Sequence, residues 1–162
     1  MTADIWRWSA TETARAIRSG AISAREATES VLSRIEQVNP AINAVVEVSA
    51  QEALEQADRA DARRRSGETL GALHGVPVTT KINTDLAGHA TTNSVPAFAD
   101  RIAAEDAPSI ENLRRAGAVF VGRTNTPSFS IRWFSDNTLH GRTLNPWDAS
   151  KTPGGSSGGA GA

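Results

Sequence analysis

The sequence predicts an α/β protein, and three observations carry that expectation. In the first seventy residues, segments opened by a serine and closed by a helix-stopping signal follow one another. Short apolar, β-branched runs interrupt the helical pattern: AINAVVEV at 41–48, HGVPVTTKIN at 74–83 and AVFVG at 118–122. Helices alternating with such runs argue for a sheet that is at least partly parallel.

The elements come in order along the chain. Ser9 precedes Glu12, Ser23 precedes Glu26 and Ser49 precedes Glu52. Each pair has capping-box spacing, in which the serine oxygen takes the N3 amide and the glutamate reaches back to the cap amide. Gly20, Asn39-Pro40 and Gly67 are the matching stops. In the second helix Ala27, Val31, Leu32 and Ile35 share one face. The third, from Ala50 to about Arg65, is rich in Ala, Glu and Arg and covers a surface; its terminal RRR suits the helix dipole. DAPSIENLRRAG at 106–117 predicts a fourth helix capped by Asp106, with Pro108 in its first turn and Gly117 at its stop. From Arg123 onward turn signals dominate nearly forty residues, long for a connection inside a compact domain and often functional. A helical lead-in with one strand over residues 1–69 therefore precedes a core over 70–162.

Composition narrows the function classes. A chain of 162 residues suits one domain with a real core. Lys+Arg 17 against Asp+Glu 18 gives a net charge of −1, so nothing electrostatic points to nucleic acid or an anionic membrane. The absence of cysteine excludes disulfides, thiolate nucleophiles and Cys-ligated zinc. His74, His89 and His140 have no ligand spacing, and no metal site is expected. The opening MTADIWRWSA lacks the basic and apolar regions of a secretory leader, and no apolar run approaches the about 18 residues of a spanning helix. The expected location is the cytoplasm.

Two features could carry chemistry. Lys81 ends an apolar run with no acid before Asp85; lost hydration would favour its neutral form, a usable base. Taken alone, a solvated lysine at a strand end is the simpler reading. The second feature is KTPGGSSGGAGA at 151–162. Glycines let backbone approach a ligand closely, and serines between them can bind, relay protons or attack. A Gly/Ser linker has the same composition. GGSSGG is not a phosphate loop, since no Gly-Lys-Ser/Thr comes after it. It matches G-x-S-x-G at Ser156 and Ser157, but in the hydrolases with that elbow the acid and histidine follow the serine, and here only GGAGA remains. Trp133 and Phe134 read as packing residues.

Together GVPVTTKIN, DAPSIENLRRAGAVFVGRTNTP, HGRTLNPWD and TPGGSSGG resemble the amidase signature family, from about Leu70 to the end of the chain. The resemblance implies the amino-terminal part of an α/β/α fold whose mixed sheet is covered by helices. It implies hydrolysis of linear carboxylic amides by a serine, a second serine after a cis peptide bond, and a lysine, with no cofactor. By motif position Lys81 corresponds to the lysine and Ser156 to the cis-serine, with Gly155-Ser156 as the cis bond. Lys81 would take a proton through Ser156 from the nucleophile, whose acyl-enzyme water then clears. Ile82 directly after the lysine and Ser128 in TNTPSF depart from patterns common in the family, which favours a free-standing amidase over a transamidation subunit.

The resemblance places the nucleophile beyond the GGSSGG loop, so the expectation is an incomplete amino-terminal part, inactive alone. Its partners would be a small-molecule amide and no nucleic acid or membrane. Exposed strand edges would be covered by self-association or by a complementary carboxyl-terminal chain. Two alternatives stand beside it: a non-catalytic module that binds a small molecule or partner, and a Ser–Lys dyad using Ser156 or Ser157.

Overall fold

The computed structural model describes residues 4–162; the first three residues of the segment read for a leader lie outside it. The chain forms two compact units, and several elements contribute residues to both. One unit comprises the chain to Glu36 with Ser49–Val78 and Glu111–Val121, the other Gln37–Val48, Thr79–Ile110 and Gly122–Ala162.

In the first unit α1 (Ala10–Ser19) opens on a complete capping box and stops at Gly20, φ +77°. At the start of α2 (Ala24–Ile42) Ser23 and Glu26 exchange the same pair of bonds. A further cap comes from α3 (Ala50–Arg65), whose buried Asp61 accepts the Ala24 and Arg25 N–H groups at 2.8 and 3.2 Å. The third expected box does not form. Ser49 donates its own N–H to the Val121 carbonyl at 3.1 Å, so Glu52 has no cap amide to reach, and the Ser49 side chain makes no capping bond.

The core of this unit is built on small residues. Ala53, Ala57 and Ala60 form one stripe of α3, packed with Ala24, Ala27, Ile17, Val119 and Val121. Val31, Leu32 and Ile35 of the expected α2 face pack against it half-buried. Complete burial of Ile17 contributes about 1.5–3 kcal/mol. Gly75 sits at φ +75°, and a Cβ there would come within 2.7 Å of the Ala24 methyl. Only glycine meets both demands.

The second unit begins with a departure from expectation. α2 does not stop at Asn39-Pro40 but runs through to Ile42. Proline removes one helix donor, yet the Asn43 N–H still closes on the Asn39 carbonyl at 2.7 Å, and the left-handed residue is Asn43 at φ 51°. Asn39 instead shapes the turn beyond the helix. Its Oδ1 accepts the Ala44 and Val45 N–H groups at 2.9 and 2.8 Å, and its Nδ2 donates to the Val45 carbonyl at 2.8 Å. These bonds lead the helix end into β1 (Val45–Val48). Asn39→Ala strips three backbone partners and should cost about 1–3 kcal/mol in urea unfolding, with Asn39→Asp losing less because both acceptor bonds remain.

Strand β3 (Val119–Thr124) is central in a sheet of order β1-β3-β2, with β2 spanning Pro77–Lys81. β1 and β3 are antiparallel, with Glu47 opposite Arg123 and Val48 opposite Gly122. The Val119 N–H meets the Val76 carbonyl at one end and the Ile82 N–H meets the Thr124 carbonyl at the other, so β2 and β3 run parallel. The sheet is mixed, the class is α/β, and α4 (Pro108–Arg115) lies in the crossover. β3 is buried at every position; the AVFVG composition predicts this for residues 119–122, whereas Arg123 and Thr124, at the start of the turn-rich stretch, continue the strand.

Arg123 is the largest fully buried side chain. Its Nη2 donates to the Ile82 and Thr84 carbonyls at 3.0 and 2.7 Å, and its Nη1 to the Ala90 carbonyl. Glu47 lies 3.6 Å away and also bonds His89. Among the described residues no helix is long and apolar enough to cross a membrane.

Candidate active site

All the groups of interest belong to the second unit. Lys81 is the last residue of β2, and its backbone position is fixed by the parallel pairing with β3. Opposite it lies the glycine- and serine-rich loop, which ends in a single helical turn, α5 (Gly158–Gly161). This loop is packed. A Cβ on Gly159 would come within 2.4 Å of the Asn125 nitrogen and 2.5 Å of the Ala44 oxygen, and one on Gly155 within 2.5 Å of the Phe134 nitrogen. The composition of a flexible linker here serves close approach of backbone to backbone.

The Gly155-Ser156 peptide bond is cis. Lys81 Nζ donates to Ser156 Oγ at 2.8 Å and reaches Ser157 Oγ at 3.2 Å. Burial pushes the lysine below its ordinary pKa, and no neighbouring charge contributes. A lysine so placed holds more of the neutral amine near neutral pH than a solvated one, and the hydroxyl 2.8 Å away gives it a proton to accept. Ile82, directly after it, is buried and pairs with Thr124 through its backbone.

Asparagines support the loop from below. Gly159 donates to the Asn125 carbonyl at 3.2 Å, and Asn125 Nδ2 donates to the Gly141 carbonyl and Thr143 Oγ1, both at 3.0 Å. Asn137 Nδ2 bonds Asn125 Oδ1 and the Thr126 carbonyl, both at 2.9 Å. The Ser156 carbonyl accepts from Thr126 Oγ1 at 2.8 Å and from Ser135 Oγ at 3.3 Å. Thr126, Ser135 and the asparagines escaped sequence reasoning. The signal available was the density of turn residues after Arg123, which marks a functional loop without naming its members.

The structure thus brings Lys81, Ser156 and Ser157 together and leaves the histidines apart. His74 Nε2 lies 2.9 Å from the Ala60 carbonyl, His89 faces Glu47, and His140 Nε2 lies 3.2 Å from Thr92 Oγ1. Among the described residues no group of three His, Cys, Asp or Glu side chains could hold a metal ion. Trp133 and Phe134 differ from their expected packing role. Trp133 is 88% exposed and Phe134 43%, and it is their backbone that packs, against Gly155.

Comparison with known proteins fits this geometry. The profile of the family described as Amidase matches residues 26–162. The chain belongs to the amidase family. It is 57% identical over 98% of its length to an indoleacetamide hydrolase of Bradyrhizobium diazoefficiens and covers 30% of that protein. It is 41% identical over 97% of its length to an acylamidase of Rhodococcus erythropolis, covering 33% of it. Among solved structures, a bacterial aryl acylamidase of the amidase signature family superposes at TM-score 0.90 and 35% identity, across 94% of this chain and 32% of that one. The chain spans about a third of the length of the curated relatives it matches.

Proposed function

We propose that this chain supplies the proton-handling half of an amide hydrolase: Lys81 is the general base and Ser156 the relay, with residues 70–162 as the catalytic core and 1–69 as its lead-in. The nucleophilic serine comes from the two thirds of the relatives' length that the chain does not span. The observation that carries the reading is the 2.8 Å contact between a partly desolvated lysine and the Ser156 hydroxyl. Identity of 57% to an indoleacetamide hydrolase makes indole-3-acetamide the first substrate to test. A small-molecule amide, no nucleic acid or membrane, and a cytoplasmic location complete the proposal.

Pairing the 162-residue chain with the carboxyl-terminal two thirds of the Bradyrhizobium enzyme tests it. Ammonia release from indole-3-acetamide is expected for the pair, none for either piece, and none for the pair carrying Ser156→Ala. A second reading has an observation of its own, since Ser157 Oγ lies 3.2 Å from Lys81 Nζ: a Ser–Lys dyad within the chain. Fluorophosphonate labelling of Ser156 or Ser157 in the chain alone, abolished by Lys81→Ala, would establish the dyad and end the first reading.

A further inference from the structure

The Ser156 carbonyl is the end of a hydrogen-bonded chain that begins two residues after Lys81. Asn83 Nδ2 donates to Ser130 Oγ at 3.0 Å, Ser130 Oγ lies 2.9 Å from Thr126 Oγ1, and Thr126 Oγ1 meets the Ser156 carbonyl at 2.8 Å. The direction of each bond comes from valence. A carbonyl only accepts, so Thr126 spends its one hydroxyl proton on Ser156. Ser130 must then donate to Thr126, while accepting from Asn83. Every donor points toward the Ser156 carbonyl, and bonds aligned in this way polarise one another.

With the Lys81–Ser156 contact the chain closes a ring, through Lys81, Asn83, Ser130, Thr126 and Ser156. The backbone is bent to complete it. Phe129 and Ser130 both occupy the left-handed region, at φ 54° and 59°, where residues other than glycine, asparagine and aspartate are uncommon. Two such residues in succession persist where the surroundings enforce them. Here they place Ser130 Oγ between Asn83 and Thr126.

We infer that Thr126, Ser130 and Asn83 are positioning residues: by fixing the Ser156 carbonyl they keep the Ser156 hydroxyl on Lys81, where it takes the place of water. This rests on the proposed roles of Lys81 and Ser156 for its meaning in catalysis, but the ring itself is measurable without turnover. Thr126 is fully buried and Thr126→Val conserves its shape while removing the bond to Ser156. Ser130→Ala cuts the ring at a less buried point.

The test is competitive acetylation of Lys81 in the 162-residue chain as a function of pH, read by peptide mass spectrometry, with circular dichroism to confirm folding. In the parent chain Lys81 should titrate below the about 10.4 of an ordinary lysine. Thr126→Val and Ser130→Ala should each move its titration up toward that value, and the double variant should move it no further than either alone. Thr126→Ser should restore the parent curve, a rescue that general loss of packing would not give. In the reconstituted pair the same two variants should lower kcat about 10–100-fold with KM little changed. Folded Thr126→Val and Ser130→Ala chains with unaltered Lys81 titration would overturn the inference. Failure of amide hydrolysis with the titration shifts intact would instead overturn only the proposed function.

Discussion

Lys81→Ala in the reconstituted enzyme should lower kcat/KM by about 10²–10⁴-fold, the range a positioned general base contributes. Lys81→Arg should be as damaging, because guanidinium stays charged throughout the accessible range and cannot accept a proton. The pH profile is the sharper check. Neutral Lys81 is the active form in the proposed mechanism, so kcat/KM should rise with pH through the folded pKa and level off above it. Burial lowers that pKa, so the rise should occur at lower pH than for an ordinary lysine near about 10.4. The same shift acts on stability. Between the lowered folded pKa and the ordinary unfolded one, the unfolded state binds more protons, so stability contributed by this group increases with pH across that window. Its penalty is fully present below the folded pKa. A rate profile flat across the lysine range would remove Lys81 from the role of base.

Arg123→Met should be the most destabilising single change in the second unit, by about 3–5 kcal/mol in urea unfolding. The guanidinium is fully buried and satisfies three carbonyls, those of Ile82, Thr84 and Ala90. Burial pushes its pKa down, and Glu47 and Asp85 oppose that. Methionine fills the volume but supplies no donor, leaving Glu47 with His89 alone and three carbonyls without the guanidinium. A loss of that size is a large fraction of the about 5–15 kcal/mol that holds a domain folded. Arg123→Lys should recover only part, since an ammonium cannot match the fork. A change under about 1 kcal/mol for Arg123→Met would mean that water replaces the guanidinium at no cost.

Much of this was legible where the deciding interaction is local. Two capping boxes, the Gly20 stop, the Ala50–Arg65 helix and the buried β3 all arise from residues a few positions apart. Ser49 carried the same local signal and failed, because its amide is taken by Val121, far away in sequence. Asn39 was legible as a terminator and acts instead as the bracket of β1, a role that depends on three backbone groups downstream. The candidate site divides the same way. Lys81 and the Gly/Ser loop stand out singly in the sequence, but only the motif resemblance pairs Lys81 with Ser156, since no periodicity links residues 75 positions apart. Asn83, Ser130 and Thr126 are common turn residues, and only the folded chain distinguishes them from other loop polar groups.

The exposure of Trp133 has an optical consequence. The four tryptophans divide evenly, Trp6 and Trp8 in one unit, Trp133 and Trp147 in the other. Trp6 is flanked by the guanidinium groups of Arg7 and Arg34, 4.4 and 4.2 Å from its ring, whereas Trp133 and Trp147 stand almost wholly in water. Indole in water emits at longer wavelength and is readily quenched by small solutes. The segment whose backbone cradles Gly155 therefore carries its own fluorophore, and anything that covers it announces itself as a blue shift without any label.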